Sequence, residues 1–410
     1  MSTLHPVRIV LAASAACIAL ALPPGDARAQ GVAISTQLDP SIRIAGMGQA
    51  GAAVFWGDDP DSWSNPALLG YHRGVRYAWG ETQLVPDLAD DVYFTTKQTT
   101  LGGFGLGFAF AGQPGDLGSI RLDYGISDAT DESGNPLGSF HSYEEVDSWG
   151  IGLSVGQATE AIALATSGKV PTITRYFDLA LGMTKKDVTV ALSPGFLGLG
   201  SAEGSSEDRG WLVRVTPWDT ITPRAGDAGT ADAARSLRLR FDLAYGASTK
   251  NVHSPTLTFV VDDRTDPMTE ESRQGLAARI ALHPSALDRA LEQDGLGLLA
   301  RSLMPLVSLG LTSENQTNRT PGTTNPEYDV DKSGVELALG NIFWWRRGHY
   351  TDADAHVDGT TTGWGLGFTL AGTAGLRYDH ATVPQPSGVD DLEREGWTFF
   401  VDPIRAIAVF

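Results

Sequence analysis

The sequence predicts an all-β fold, a transmembrane antiparallel β-barrel of about fourteen to sixteen strands. Three observations carry the prediction: an export-type N-terminus, a period-two alternation recurring through the rest of the chain, and the lack, after residue 30, of any apolar run approaching the roughly 18 residues a spanning helix needs. Strands are then the remaining way to cross lipid. Only a closed barrel pairs all of their backbone hydrogen-bonding groups there.

The chain opens with a short cationic start (His5, Arg8), an apolar run from Ile9 to Leu22, and Ala27-Arg28-Ala29. That order is the pattern of a secretory leader. Pro23, Pro24 and Gly25 end the apolar run, and Ala27 and Ala29 supply small residues at the cleavage site, so residues 1–29 read as a signal peptide and Gln30 as the first mature residue. The single cysteine, Cys17, lies inside the apolar run, and Ser14-Ala15-Ala16 before it lacks the leucine of a lipoprotein signal. Loss of Cys17 with the leader excludes disulfides, zinc thiolates and cysteine catalysis from the mature chain. A formal net charge of −19 argues against nucleic acid as a partner.

Large residues fall on one face of each predicted strand. Phe104, Leu106, Phe108 and Phe110 alternate with Gly103, Gly105, Gly107 and Ala109; Trp149, Ile151, Leu153 and Val155 alternate with Gly150, Gly152, Ser154 and Gly156. Ile120, Leu122, Tyr124 and Ile126 stand against Arg121 and Asp123, and Leu237, Leu239, Phe241 and Leu243 against Arg238, Arg240 and Asp242. Trp364, Leu366 and Phe368 alternate with Gly365 and Gly367, and shorter runs recur at Val75–Trp79, Phe177–Met183, Val188–Leu192, Trp211–Val215, Leu257–Val261, Leu276–Leu282, Val307–Leu311, Val335–Leu339 and Leu376–His380. Glycine opposite bulky apolar groups weakens a soluble sandwich strand, whereas in a membrane barrel the apolar face meets lipid and small or charged residues line the lumen. The lumen charges are then Arg121, Asp123, Arg238, Arg240, Asp242, Arg377 and Asp379. Tyr77, Trp79, Trp149, Tyr245, Trp364, Tyr378 and Trp397 suit interfacial girdles.

Polar stretches at residues 127–147, 219–235, 262–273, 313–332, 351–362 and 382–395 read as external loops, with 193–204 and 371–375 as tight or periplasmic turns. Ser285 to Asp294 reads as a short helix with Ser285 as its N-cap. The final run Ile404 to Phe410 reads as a closing strand, with a bulge where Pro403 lacks a ladder donor.

Before the first strand lie Ser41-Ile42-Arg43-Ile44-Ala45-Gly46-Met47-Gly48-Gln49-Ala50-Gly51 and Ser64-Asn65-Pro66-Ala67-Leu68-Leu69-Gly70. Together with Gly334 to Leu337, Arg346 to Tyr350, Gly363 to Gly367 and Leu376 to Asp379, this resembles the FadL-type outer-membrane transporters and the related PorV/PorQ family. The resemblance implies a fourteen-stranded barrel over residues 73–410 whose N-terminal segment, residues 30–72, folds inside as a hatch. It places Arg43, Gly46, Met47, Gly48, Gly51, Asn65 and Pro66 in that hatch. Gln49 departs from the family pattern, which often has glycine there.

Other patterns carry less. Gly102-Gly103-Phe104-Gly105-Leu106-Gly107 imitates a phosphate loop but lies in an alternating strand and opens no helix. Asp329-Val330-Asp331-Lys332-Ser333-Gly334 begins like a calcium loop, yet its twelfth position is Gly340. The acidic clusters Asp58-Asp59-Asp61, Asp128-Asp131-Glu132, Glu144-Glu145-Asp147 and Asp262-Asp263-Asp266 read as solvated loops. Trp344-Trp345-Arg346-Arg347 reads as an interfacial anchor. No nucleophile motif surrounds His141-Ser142, and the expectation is a non-enzyme without metal or cofactor. The resemblance implies an outer-membrane location and passage of apolar small molecules; its alternative is an accessory that contacts secretion machinery.

Overall fold

The computed structural model describes residues 33–409 apart from 58–61, 86–88, 90, 113–118, 131–132, 134, 194–199, 222–236, 261–263, 324–325 and 387–388. The leader, Cys17 and several of the acidic residues named above lie outside the described residues. The strands, in chain order, are β1 Gly74–Gln83, β2 Tyr93–Gly103, β3 Leu106–Ala111, β4 Ser119–Thr130, β5 Pro136–Ser154, β6 Phe177–Ser193, β7 Gly200–Asp219, β8 Leu237–Lys250 and β9 Thr256–Phe259. They continue as β10 Thr265–Pro267, β11 Glu270–Pro284, β12 Val307–Arg319, β13 Glu327–Leu339, β14 Phe343–Asp352, β15 Val357–Leu370, β16 Ala374–Val383 and β17 Leu392–Val401. All belong to one antiparallel sheet that closes on itself where Val75 of β1 meets Val401 of β17.

The wall has fourteen strands. β3 and β4 are two pieces of one of them, since β2 pairs first with β3 and then with β4, and β5 does the same. β9 and β10 form a small hairpin that touches β7 through Ala202 and Glu203. The predicted run at Leu257 is therefore not a wall strand. Its Leu257 and Phe259 side chains are buried instead.

The outward face near the chain termini is apolar, as expected: Val75, Tyr77, Leu101, Leu106, Phe108, Leu181, Leu243, Leu276, Leu309, Leu366 and Phe399 are all exposed. An aromatic row limits this band. Trp79 pairs across the sheet with Trp397, Trp397 with Tyr378, and Trp345 with Trp364. Tyr378 and Trp397 rings lie 4.9 Å apart, and Trp211 and Tyr245 rings 5.4 Å apart. The band and its girdle are those of a strand-built membrane span.

Beyond the aromatic row the strands continue and the apolar residues change face. On β6, Leu181 and Met183 point out, whereas Val188 and Val190 are buried. Ile120 and Leu122 of β4, with Phe94 and Val146, join those valines in a buried cluster. Arg121 and Asp123 consequently point outward, beside Tyr143 and His141, which corrects their assignment to the lumen. Strand ends that project out of lipid meet water on the outside, so there the polar face turns outward and the apolar face inward.

This projection also explains why the polar stretches at 127–147, 313–332 and 351–362 are mainly strand, with connections shorter than expected. Among the charged patterns, Asp329 and Asp331 stand on β13 and accept hydrogen bonds from Thr317 and Asn315. The end that holds Gly74 and Val401 has the tight turns after Leu339 and Leu370, together with the longer connections after β5, β7 and β11. The stretch 371–375 lies at this end. Ser193 and Asp219, where the stretches 193–204 and 219–235 begin, lie at the far end and at this end respectively, so relative to 371–375 their predicted placement is reversed.

Helices fill longer connections at this end. Val155–Thr166 follows β5 directly, with the Ser154 hydroxyl capping it at Gln157, so Val155 and Gly156 do not continue the strand. Ser285–Gln293 is helical as predicted, with Pro284 rather than Ser285 at the cap position. The C-terminal run is corrected more fully: Pro403–Val409 is a helix, not a strand. Proline cannot donate to the ladder but suits a first helical turn, and the Asp402 carboxylate accepts the Arg405 N–H at 2.9 Å.

Candidate functional site: the plugged lumen

Inside the barrel the chain from Ala33 to His72 lies against the wall. Ser41 caps the short helix Ile42–Ala45 by accepting from the Ile44 N–H at 3.2 Å. Gly48 and Gln49 then take left-handed conformations, φ 67° and 60°. Gln49 thus adopts the backbone that the related glycine position favours. The Thr361 hydroxyl joins this turn to the wall, accepting from the Gly48 N–H at 2.8 Å and donating to the Gly46 carbonyl at 3.2 Å. Met47 is wholly buried with Ile44, Val54, Phe55 and Trp56, and the Gly51 carbonyl accepts from Val54 at 3.1 Å.

The second half of the segment turns on Asn65. Its side-chain oxygen caps the 3-10 helix Pro66–Tyr71 through the Ala67 N–H at 3.0 Å, with Pro66 in the first turn. Its amide donates to the Ala52 carbonyl at 2.8 Å and to the Trp211 carbonyl of β7 at 3.1 Å. One side chain therefore ties both halves of the segment to each other and to the wall. An Asn65→Ala variant is expected to lose about 1–2 kcal/mol, with burial of two orphaned carbonyls added to the loss of a cap. The check is the denaturation midpoint in detergent, where Asn65→Asp recovers only the capping part.

Glycine makes the close fit possible. Gly102, Gly107, Gly152, Gly182 and Gly210 are successive cross-strand partners from β2 to β7, and the 3-10 helix lies along this row. Further round, Gly246 faces Ala52, Gly310 faces the Trp56 ring, Gly334 and Gly348 face Met47, and Gly363 faces Gly46. A Cβ on Gly107 or Gly182 would overlap the Leu69 or Pro66 carbonyl.

Buried ions fix the segment laterally. Arg43 donates to both oxygens of Glu336 at 2.8 Å, the bidentate geometry that arginine and carboxylate make best. Glu336 also accepts from Trp56 at 3.0 Å and from Arg346 at 2.8 Å; Arg346 reaches Asp379 at 2.7 Å, and Asp379 accepts from Arg377 at 2.6 Å. Charge thus alternates along a chain from segment to wall. A second network joins Asp39 to Arg273 and Ser64, and Arg273 to Glu271 at 2.9 Å. Trp63 sits between the Lys186 and Lys250 ammonium groups, 5.2 and 5.1 Å from its ring.

Of the charges predicted for the lumen, Arg377, Asp379, Arg240 and Asp242 occupy it, Arg240 pairing with Asp242 at 2.8 Å, and Arg238 shares their face at the start of β8. Arg121 and Asp123 do not. The structure adds Glu336, Arg346, Arg273, Glu271, Lys186 and Lys250. Arg346 is not an interfacial anchor: it and Trp344 point inward, and Trp345 and Arg347 outward. The alternation carried this signal, since outward Val335 and Leu337 leave Glu336 only the lumen. Above the segment a cavity of about 280 Å³ opens, lined by Leu38, Leu84, Phe94, Tyr328 and Tyr350 together with Arg273 and Arg394.

No family model and no curated protein matches the chain. Among solved structures it is similar to the Pseudomonas putida toluene transporter TodX, at 10% identity and TM-score 0.38 over 88% of this chain and 97% of that one. It is likewise similar to the Ralstonia pickettii toluene transporter TbuX, at 10% identity and TM-score 0.40 over 89% and 98% of the two chains.

Proposed function

We propose that this barrel admits hydrophobic small molecules across the outer membrane, with the segment from residue 33 to 72 acting as a hatch. One observation carries the reading. The interior above the hatch is an apolar core, built from Phe94, Ile120, Leu122, Val146, Val188 and Val190, beside the point where the pairing of the third wall strand passes from β3 to β4. A water-filled pore for polar solutes has no use for such a lining. An apolar ligand enters the cavity over Leu38, Leu84 and Phe94, partitions into the core, and leaves when the hatch shifts. Gly46, Met47, Gly48, Gly51, Asn65 and Pro66 carry the shift, and the Arg43–Glu336 pair holds the closed position.

The test is equilibrium binding of a panel of hydrophobic compounds to detergent-purified protein, with co-purifying molecules identified by mass spectrometry. A compound bound in stoichiometric amount, and weakened at least tenfold by Phe94→Asp or Leu122→Asp, is the expected result. An empty barrel that retains secreted proteins or translocon subunits selects the accessory role instead.

A further inference from the structure

We propose a binding site for a phospholipid with a net anionic headgroup at the rim that holds Gly74 and Val401, between the helix Val155–Thr166 and the barrel end. A cavity of about 700 Å³ lies there, lined by Arg73, Lys169, Arg175, Arg214 and Arg240 against two carboxylates, Glu160 and Asp219. This positive excess stands in a chain whose formal charge is −19. Arg240 is engaged by Asp219 and Asp242, and Arg214 packs over Phe55 and Tyr71, 3.8 Å from Asp178. Arg73 and Lys169 are exposed at the mouth, and Arg73 makes one long hydrogen bond, 3.4 Å, to Gln157. These two are placed to take a phosphate by charge-assisted hydrogen bonds.

The tail has its own place. A second cavity, about 360 Å³, shares Arg73, Gln157, Glu160 and Leu164 with the first and continues over Phe104, Ala161 and Ile404. Phe104 is 64% exposed and sits in the turn between the lipid-facing Leu101 and Leu106, so the groove ends beside the bilayer-contacting surface. A cationic pocket joined to an apolar groove that opens toward lipid fits an amphiphile of one polarity: anionic head inward, acyl chain outward. Arg73 and Lys169, which take the headgroup, lie outside the segment from residue 33 to 72, whereas Arg214 and Arg240 at the back of the cavity also border the lumen.

The experiment is native mass spectrometry of the full barrel in a neutral detergent, with phosphatidylglycerol and phosphatidylcholine offered at equal concentration. Wild type is expected to retain phosphatidylglycerol at least tenfold more strongly. The double variant Arg73→Gln/Lys169→Gln loses that preference, and Phe104→Ser/Leu164→Ser weakens retention of both lipids; the heat-modifiable gel shift of each variant verifies that the barrel has formed. Equal retention of the two lipids by wild type, or an unchanged preference in the charge variant, overturns the proposal. Displacement of the lipid by inorganic phosphate or glycerol phosphate at the same concentration also overturns it, because the site is then one for the oxyanion alone.

Discussion

A Glu336→Ala barrel is expected to lose about 3–5 kcal/mol of stability, the cost of leaving a buried charge without its partner. Glu336 accepts from Arg43, Arg346 and Trp56, and all of these are buried. Its removal takes the bidentate carboxylate from the buried Arg43 guanidinium and cuts the chain that leads on to Asp379. The readouts are the thermal midpoint in detergent and the rate of protease cleavage within residues 33–72, which rises as the segment loosens. The Arg43→Leu/Glu336→Leu double variant is the informative comparison, because replacing both partners by apolar groups removes the guanidinium together with its carboxylate. It is expected to recover more than half of the loss. A double variant as unstable as Glu336→Ala shows that Arg346, rather than Arg43, depends on the carboxylate.

Adding one methyl group at Gly182 is expected to unseat the segment from residue 33 to 72. The Cβ of Gly182→Ala would overlap the Pro66 carbonyl and the Ala67 nitrogen, backbone atoms with no rotamer to relieve the contact. Overpacking of this kind costs about 1–3 kcal/mol where side chains can adjust, and backbone against backbone belongs at the top of that range. The wall itself tolerates alanine in a strand, so the barrel still forms and the segment is displaced. Single-channel recording should show conductance at least tenfold above wild type. Gly297→Ala is the control, since its Cβ would meet only the Glu292 side chain at 3.9 Å. If both variants behave as wild type, the segment does not seal the lumen.

The fold was legible because lipid imposes an alternation that nothing else in the chain obscures. Phe108 against Gly107 and Trp364 against Gly365 declare inside and outside at once. Legibility failed where the solvent changes along one strand. Ile120 and Leu122 were assigned outward by the rule that holds for Leu181 and Met183, but they stand beyond the aromatic row, where water reverses the preference. The charges of the lumen were legible in part. Arg240, Asp242, Arg377 and Asp379 alternate with bulky residues inside uninterrupted runs, whereas Glu336 and Arg346 lie in segments read for other features. The closing helix was hidden for a simpler reason: the apolar character of Ile404, Ile407 and Val409 suits a strand equally, and only Pro403 with Asp402 before it decides the outcome.

The glycine-faced wall has a consequence for how position is encoded. Side chains that interdigitate would make the inner surface rough, and a body resting on it could move only by dilating its housing. The row of glycines from Gly102 to Gly210 acts instead as a smooth bearing. The seat of the N-terminal segment is then chosen by a handful of directed contacts, those of Asn65, Thr361 and Glu336, acting as detents rather than by the shape of the housing. Such a body can slip along its track at the cost of a few hydrogen bonds, while the cylinder around it stays rigid.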